Sequence, residues 1–377
     1  MTHSPLLSPL TLRSGVVLPD RVAMAPMVAQ GASPADGSVT AEDGAYFALR
    51  SRVAGMLITG AAYVCRGGRG FERQISIAED RDVEGLTQLA QAMKRDGGRA
   101  FVQLYHGGRE AYPAAAELGR AVAPSTQQFD WLPYVPEEMT EEEIASTIAA
   151  FGAATRRAIA AGFDGVEIHG ANHYLLQQFF SRLSNHRDDA WGGDLERRMA
   201  FPLAVLDEVL RAAAEAGRPF AVGYRICPDE IHGEDIGYTV SEALELIDRV
   251  VDKGVDYLHV SIFTGYADAP AGSQRSYGQI VRDLVAQRCP VIIVSDVFTE
   301  RDAESALQHG DIVAIGRAAL VEPEFAGKIA AGDGDRIEVS VKGRLHELAL
   351  PAGLVEWYRG SGRAVLPPLP GFDEYLQ

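Results

Sequence analysis

The sequence predicts a (β/α)8 barrel, and three observations predict it. Eight short apolar runs recur along the 377 residues, at 22–25, 56–59, 100–104, 165–169, 221–226, 257–261, 291–294 and 312–315. A helix-like stretch follows each run, the alternation expected of a parallel sheet wrapped by helices. An open doubly wound sheet would share that alternation, but it should carry a GxGxxG turn after its first strand, and the chain has none. The runs are near-continuous in Val, Ile and Ala rather than alternating, as suits strands covered on both faces. Barrels of this kind run to ~250 residues or more as one unit. No linker rich in Gly, Ser or Pro divides the chain, so residues 1–377 are expected to form a single domain.

Taken in order, residues 10–19 read as a short hairpin around Ser14-Gly15, closing the barrel floor. The first three strands follow. Segment 107–139 is too long for a minimal barrel; it carries prolines with Tyr112, Phe129, Trp131 and Tyr134, and is expected to be an extended lid. Thr140-Glu141-Glu142-Glu143 is a capping box: the Thr140 hydroxyl accepts from the third amide of the helix while Glu143 reaches back. It opens a helix in which Ile144, Ile148, Phe151 and Ile159 share a face. Thr239 and Thr299 start two further helices, and Gly254 and Gly310 are expected to end helices in the left-handed conformation. The tail, 351–377, carries Trp357 and Tyr358 and is expected to dock on the barrel.

Composition narrows the function. There are 35 basic against 52 acidic residues, a formal charge of −17, which repels nucleic acid and anionic membranes. No apolar run approaches the ~20 residues that span a bilayer, and no signal peptide is visible at the N-terminus. Cys65, Cys227 and Cys289 are too scattered for a clustered metal site and suit a reducing cytoplasm, the expected location.

Catalytic groups of such barrels project from the C-terminal ends of the strands. Those positions hold Pro26, Met27 and Val28, then Ala61, Gln103, His169, Arg225, Ser295, Gly316 and Arg317. Small residues after the first two strands leave room for a planar ring. Gln103 offers both a donor and an acceptor to an imide edge. Arg225 and Arg317 supply positive charge, and the turns after strands seven and eight are where such barrels often hold phosphate. A planar ring with a phosphate is what FMN offers. Singly, a rim arginine is more often an ion-pair partner than a clamp; it is the ordered set that points to a ligand.

His169, Asn172 and Tyr174 follow the fourth strand. A histidine and an amide can hold a carbonyl oxygen as its negative charge develops, and a neutral phenol can deliver a proton. Two other readings stand beside this one. His169 and His173, four apart, could bind zinc, with His106 and His186 in a metal-dependent hydrolase or lyase, although HExxH is absent. Taken as an isolated pair, His169 and Asn172 would be a core histidine and a capping residue.

These residues carry a resemblance over nearly the whole chain. His169-Gly170-Ala171-Asn172-His173-Tyr174-Leu175, then Ser181-Arg182-Leu183-Ser184-Asn185-His186-Arg187-Asp188-Asp189 and Trp191-Gly192-Gly193, together with Ala25-Pro26-Met27, Gln103-Leu104-Tyr105-His106-Gly107-Gly108-Arg109, Arg225 and Ile315-Gly316-Arg317, stand in family order and spacing. The chain resembles the old yellow enzyme family of FMN-dependent ene-reductases. The resemblance implies that Pro26, Met27, Val28 and Ala61 line the flavin, that Gln103 bonds its pyrimidine edge and that Arg225 stabilises the reduced ring. Ser295, Gly316 and Arg317 would hold the phosphate. His169 and Asn172 would bind the carbonyl of an activated alkene, Tyr174 would protonate it, and NADPH or NADH would supply the hydride; no metal is implied.

The departures are specific. Val28 stands where the family usually has Thr or Cys, which implies a lower flavin potential. His173 replaces the usual Gly, and Ser295 and Asp296 replace common glycines. With no cysteine after Cys289, the chain is expected to lie outside the iron–sulfur branch. Homo-oligomers are possible in this family, and Arg359 is the candidate to reach a neighbour's site. The lid and the loop 263–277 are expected to select the alkene.

Overall fold

Eight parallel strands close into a barrel in the computed structural model, which describes residues 4–376. They are β1 (Val22–Met24), β2 (Met56–Tyr63), β3 (Arg99–Tyr105), β4 (Gly165–Gly170), β5 (Ala221–Ile226), β6 (Tyr257–Val260), β7 (Val291–Val294) and β8 (Ile312–Ile315). Each pairs with its sequence neighbours, and β8 pairs with β1 through Ala314↔Ala23 to complete the ring. Only Arg99 among the strand residues is not buried. Both faces are therefore covered, which is why these strands lack alternation in the sequence.

Two cores result. Inward side chains such as Met56, Ile58, Phe101, Tyr257 and Ile292 fill the barrel, and Leu12, Val16 and Leu18 join them from below. The hairpin expected at 10–19 is present, pairing Leu10 with Leu18 and Thr11 with Val17, and its apolar residues plug the floor. Outward side chains such as Val22, Leu57, Val102 and Val166 pack on the helices. Burying one such side chain contributes roughly 1.5–3 kcal/mol.

The helices start where their caps predict. Thr140 and Glu143 form a reciprocal box at α3 (Glu141–Ala160), after α1 (Ala41–Leu49) and α2 (Asp82–Lys94). Beyond α4 (Leu195–Ala213), Thr239 with Glu242 opens α5 (Val240–Asp252). Ser276 with Gln279 opens α6 (Tyr277–Val285), and Thr299 with Asp302 opens α7 (Glu300–Ala306). Gly254 has φ +96°, as expected of a helix stop. Gly310 does not have positive φ, contrary to expectation. Its constraint is space, since a Cβ there would meet Ile293 Cγ2 at 2.9 Å.

The additions to the barrel cluster around its ends. Segment 107–139 is ordered, with a helix Tyr112–Leu118 and paired strands Val122–Ala123 and Glu137–Glu138. A hairpin that the sequence did not announce, Glu230–His232 paired with Asp235–Tyr238, follows β5. The tail folds back as helix Ala352–Arg359, burying Leu354 and Tyr358. Among the described residues, no helix is long and apolar enough to cross a membrane.

Candidate active site

A cavity of about 320 Å³ opens at the C-terminal ends of the strands. All twelve residues expected to hold cofactor or substrate border it: Pro26, Met27, Val28, Ala61, Gln103, His169, Asn172, Tyr174, Arg225, Ser295, Gly316 and Arg317. The parallel closed sheet brings them together because every strand delivers its last residues to the same end. At β2 the register shifts between Ile58 and Ala61. Gly60 sits in that irregularity, where a Cβ would lie 2.4 Å from the Met27 carbonyl. Glycine thus lets the backbones after β1 and within β2 approach closely along the cavity wall.

A buried polar network underlies one end. Gln103 Nε2 donates to Glu167 Oε1 at 2.7 Å, and Glu167 Oε2 stands 3.0 Å from His259 Nδ1. Burial alone would raise the Glu167 pKa, but His259, Arg225 and Gln103 hold it below the ordinary glutamate value. Arg225 donates through Nη2 to Ser261 Oγ at 3.0 Å, while its fully buried Nε has no partner. Burial lowers the Arg225 pKa and Glu167 opposes that shift; an arginine keeps its charge regardless.

The substrate-side groups are set by their neighbours. Burial, then Arg225 and His259, push His169 well below the ordinary histidine value, so the ring is neutral. Its Nδ1 accepts the Ala171 N–H at 3.3 Å, which leaves the proton on Nε2. Asn172 sits at φ +58° and its Oδ1 accepts from Ser261 Oγ at 2.9 Å, so Nδ2 is the amide's remaining donor. The Tyr174 ring packs edge-on against Tyr105 (4.5 Å) and His169 (5.0 Å). Burial and Glu110 push its phenol above the ordinary tyrosine value, so it is protonated at neutral pH.

At the other end the backbone is unusual. Ser295 and Asp296 have φ +96° and +59°, which a glycine would adopt freely and other residues avoid. The Ser295 hydroxyl donates to the Ile262 carbonyl. Arg317 lies over the Phe298 ring (5.0 Å), donates to the Pro368 carbonyl (3.2 Å) and has the Asp296 carboxylate 3.6 Å away. A Cβ on Gly316 would meet only Met27 Sδ, at 3.6 Å, so the backbone there is open to a ligand. An unpartnered guanidinium nitrogen at one end, an open glycine beside an arginine at the other and small side chains between fit a planar, anionic ring with a phosphate tail.

The sequence matches the profile of the NADH:flavin oxidoreductase / NADH oxidase family over residues 5–335. The chain belongs to that family. This is the old yellow enzyme family that the motifs suggested, with FMN as cofactor and a reduced nicotinamide as donor. The chain is 41% identical to a probable NADH-dependent flavin oxidoreductase of Bacillus subtilis, over 90% of this chain and 92% of that one. It is 40% identical to the NADH:acrylate oxidoreductase of Vibrio harveyi over 93% of its own length, but spans only 35% of that longer protein. The solved structure of morphinone reductase in complex with tetrahydroNAD superposes with a TM-score of 0.75 at 28% identity, covering 87% of this chain and 91% of that one.

Some wall residues of this flavin oxidoreductase escaped the sequence reading. Phe71, Tyr46, Leu354, Trp357 and Leu366 border the cavity, and Phe71 meets Trp357 edge-on at 5.8 Å. The aromatic pair in the tail was the one available signal. Phe263, in the loop expected to select the alkene, borders the cavity, whereas no residue of 107–139 does. Arg359 donates to the Tyr375 carbonyl of its own chain at 3.2 Å. His106 and His186 do not border the cavity, so the four histidines of the hydrolase reading do not share one site there.

Proposed function

We propose that the protein reduces the C=C bond of activated alkenes such as enones, enals, maleimides and nitroalkenes at the expense of NADPH or NADH. FMN, when bound, would supply the redox chemistry that links nicotinamide oxidation to alkene reduction. Pro26, Met27, Val28 and Ala61 would flank its ring, with Gln103 and Arg225 at the pyrimidine edge and Ser295, Gly316 and Arg317 at the phosphate.

The observation that carries the reading is the trio at the end of β4. A neutral His169 with its proton on Nε2 and an Asn172 with a free Nδ2 form a two-donor cradle for a carbonyl oxygen. Polarising that carbonyl makes the β carbon electrophilic, and the protonated Tyr174 beside it gives its proton to the α carbon. Phe71, Tyr174, Ile262, Phe263 and Trp357 add apolar and aromatic wall, which favours neutral substrates. Acrylate and fumarate belong to the names of relatives of which this chain spans about a third, and neither is assigned to this chain. The chain would act as one catalytic unit, its roof formed by the tail from Pro351. Three free thiols suit a cytoplasmic setting.

The test is stopped-flow spectrophotometry. The holoenzyme reduced by NADPH or NADH should be reoxidised anaerobically by cyclohexenone, and faster than by acrylate. Failure of every activated alkene to reoxidise it would favour a second reading, a flavin-binding sensor or scaffold with altered or lost catalysis, to which Val28 at a usual Thr or Cys position lends support.

A further inference from the structure

Outside the cavity, one side-chain cluster has chemistry that the flavin reaction does not use. His173, Glu230 and His232 present ligand atoms that all lie within 4.8 Å of one another. We propose that these three residues bind a divalent transition-metal cation of the zinc type, beside the mouth of the active site. The zinc reading of the sequence pairs His173 with His169; Glu230 and His232 lie nearly sixty residues further along the chain, so this trio exists only once the chain has folded.

Three independent features support the site. The first is the donor set: two imidazoles and a carboxylate suit zinc and leave a fourth position to water. Zinc holds such donors at ~2.0–2.2 Å, so tetrahedral ligands stand about 3.4 Å apart. His232 Nε2 is already 4.0 Å from Glu230 Oε1, and its exposed side chain on a hairpin is free to swing the remaining distance.

The second is the support behind the ligands. Gln177 Nε2 donates to Glu230 Oε2 at 2.8 Å, and Gln177 Oε1 accepts the His173 backbone N–H at 3.1 Å. One amide thus fixes two of the three ligands, the arrangement by which metal sites orient their first ligands. Oε1 of Glu230 is left facing His232.

The third is an unmet cost. Glu230 is buried, yet its nearest ion-pair partner among the described residues is His232 at 4.0 Å. A buried carboxylate without a cation is unfavourable, and a bound metal supplies the missing charge. His173 is held at φ +63° in a conformation that non-glycine residues avoid, next to Asn172, also left-handed. Occupied, the site would tie the hairpin after β5 to the loop carrying Asn172 and Tyr174.

The experiment is a Zn²⁺ titration of the holoenzyme against a chromogenic chelator, with hydrogen exchange on the same samples. Wild type should take one equivalent, and exchange at 172–174 and 230–238 should slow on binding. His232→Ala, an exposed change at a residue that does not line the cavity, should weaken affinity at least about tenfold, as should Glu230→Gln. Wild type binding no stoichiometric zinc, or His232→Ala binding as tightly as wild type, would overturn the proposal. The readout is metal affinity, so it stands apart from the outcome with alkenes.

Discussion

Gln103 Nε2 and Glu167 Oε1 meet at 2.7 Å inside the barrel, where both side chains are almost fully buried. The carboxylate spends one amide proton of Gln103 and so orients the whole amide, leaving its carbonyl oxygen for another partner. Glu167 also faces His259 and helps to balance the charge of Arg225. Glu167→Gln keeps the shape and removes that charge. Breaking a buried charge network costs roughly 3–5 kcal/mol, so we expect a stability loss of that order in urea unfolding of the holoenzyme. A loss below about 0.5 kcal/mol, the scale of ordinary surface changes, would mean that the network is dispensable.

Tyr174→Phe separates the half-reactions. The proton donor for the alkene is lost while the nicotinamide step needs none, so reoxidation by cyclohexenone should slow by on the order of 10²-fold. Reduction by NADPH should stay within about twofold of wild type in the same stopped-flow instrument. Equal slowing of both steps would assign Tyr174 to binding instead.

The pH profile follows from His169. Its pKa is depressed in the folded protein, so lowering pH through the ordinary value of ~6.5 leaves the ring neutral and its Nε2 proton in place. Tyr174 is shifted upward and keeps its proton through neutral pH. The oxidative half-reaction should therefore be flat between about pH 5.5 and 8.5. A limb centred near 6.5 would show that His169 titrates there and that its ring is open to solvent.

Val28 gives a test on the cofactor. Its side chain borders the cavity without any group to donate a hydrogen bond. Val28→Thr should raise the flavin midpoint potential by about 10–30 mV, the equivalent of one hydrogen bond of roughly 0.5–1.5 kcal/mol in a two-electron couple. Equal potentials in an equilibrium dye titration would remove Val28 from the account of the redox level.

Asp296 lies 3.6 Å from Arg317 in the region assigned to the phosphate. Its carboxylate competes with a phosphate for the guanidinium. Asp296→Asn removes the charge and keeps a side chain that tolerates positive φ. FMN should bind about threefold more tightly, the scale of an exposed ion pair of ~0.6 kcal/mol. The gain should fade with added salt as the charges are screened. Fluorescence titration of the apoprotein measures both, and weaker binding would instead show Asp296 helping to organise the loop.

Much of the barrel was legible because its signals are local. The apolar runs, the Thr140, Thr239 and Thr299 caps and the hairpin at 10–19 each depend on residues a few positions apart. Gly310 departs from the expected helix stop for a complementary reason. Its role is decided by Ile293, a residue of β7 that meets it only after folding. The length and aromatic content of segment 107–139 mark it as an addition to the barrel, but length does not say which side of the rim a segment covers.

By itself, then, the order of residues determined the parallel closed sheet and the strand ends that face one cavity, since burial on both faces and the right-handed crossover leave few other arrangements for eight such units. Tertiary structure alone decided the roof of Phe71 and Trp357, the Glu167–His259 support beneath Gln103 and the meeting of His173 with Glu230 and His232. Those contacts join residues from about 60 to nearly 290 positions apart. Protonation of His169 and Tyr174 was decided there as well, because a pKa answers to the water excluded and the charges nearby, neither of which exists until the chain has closed.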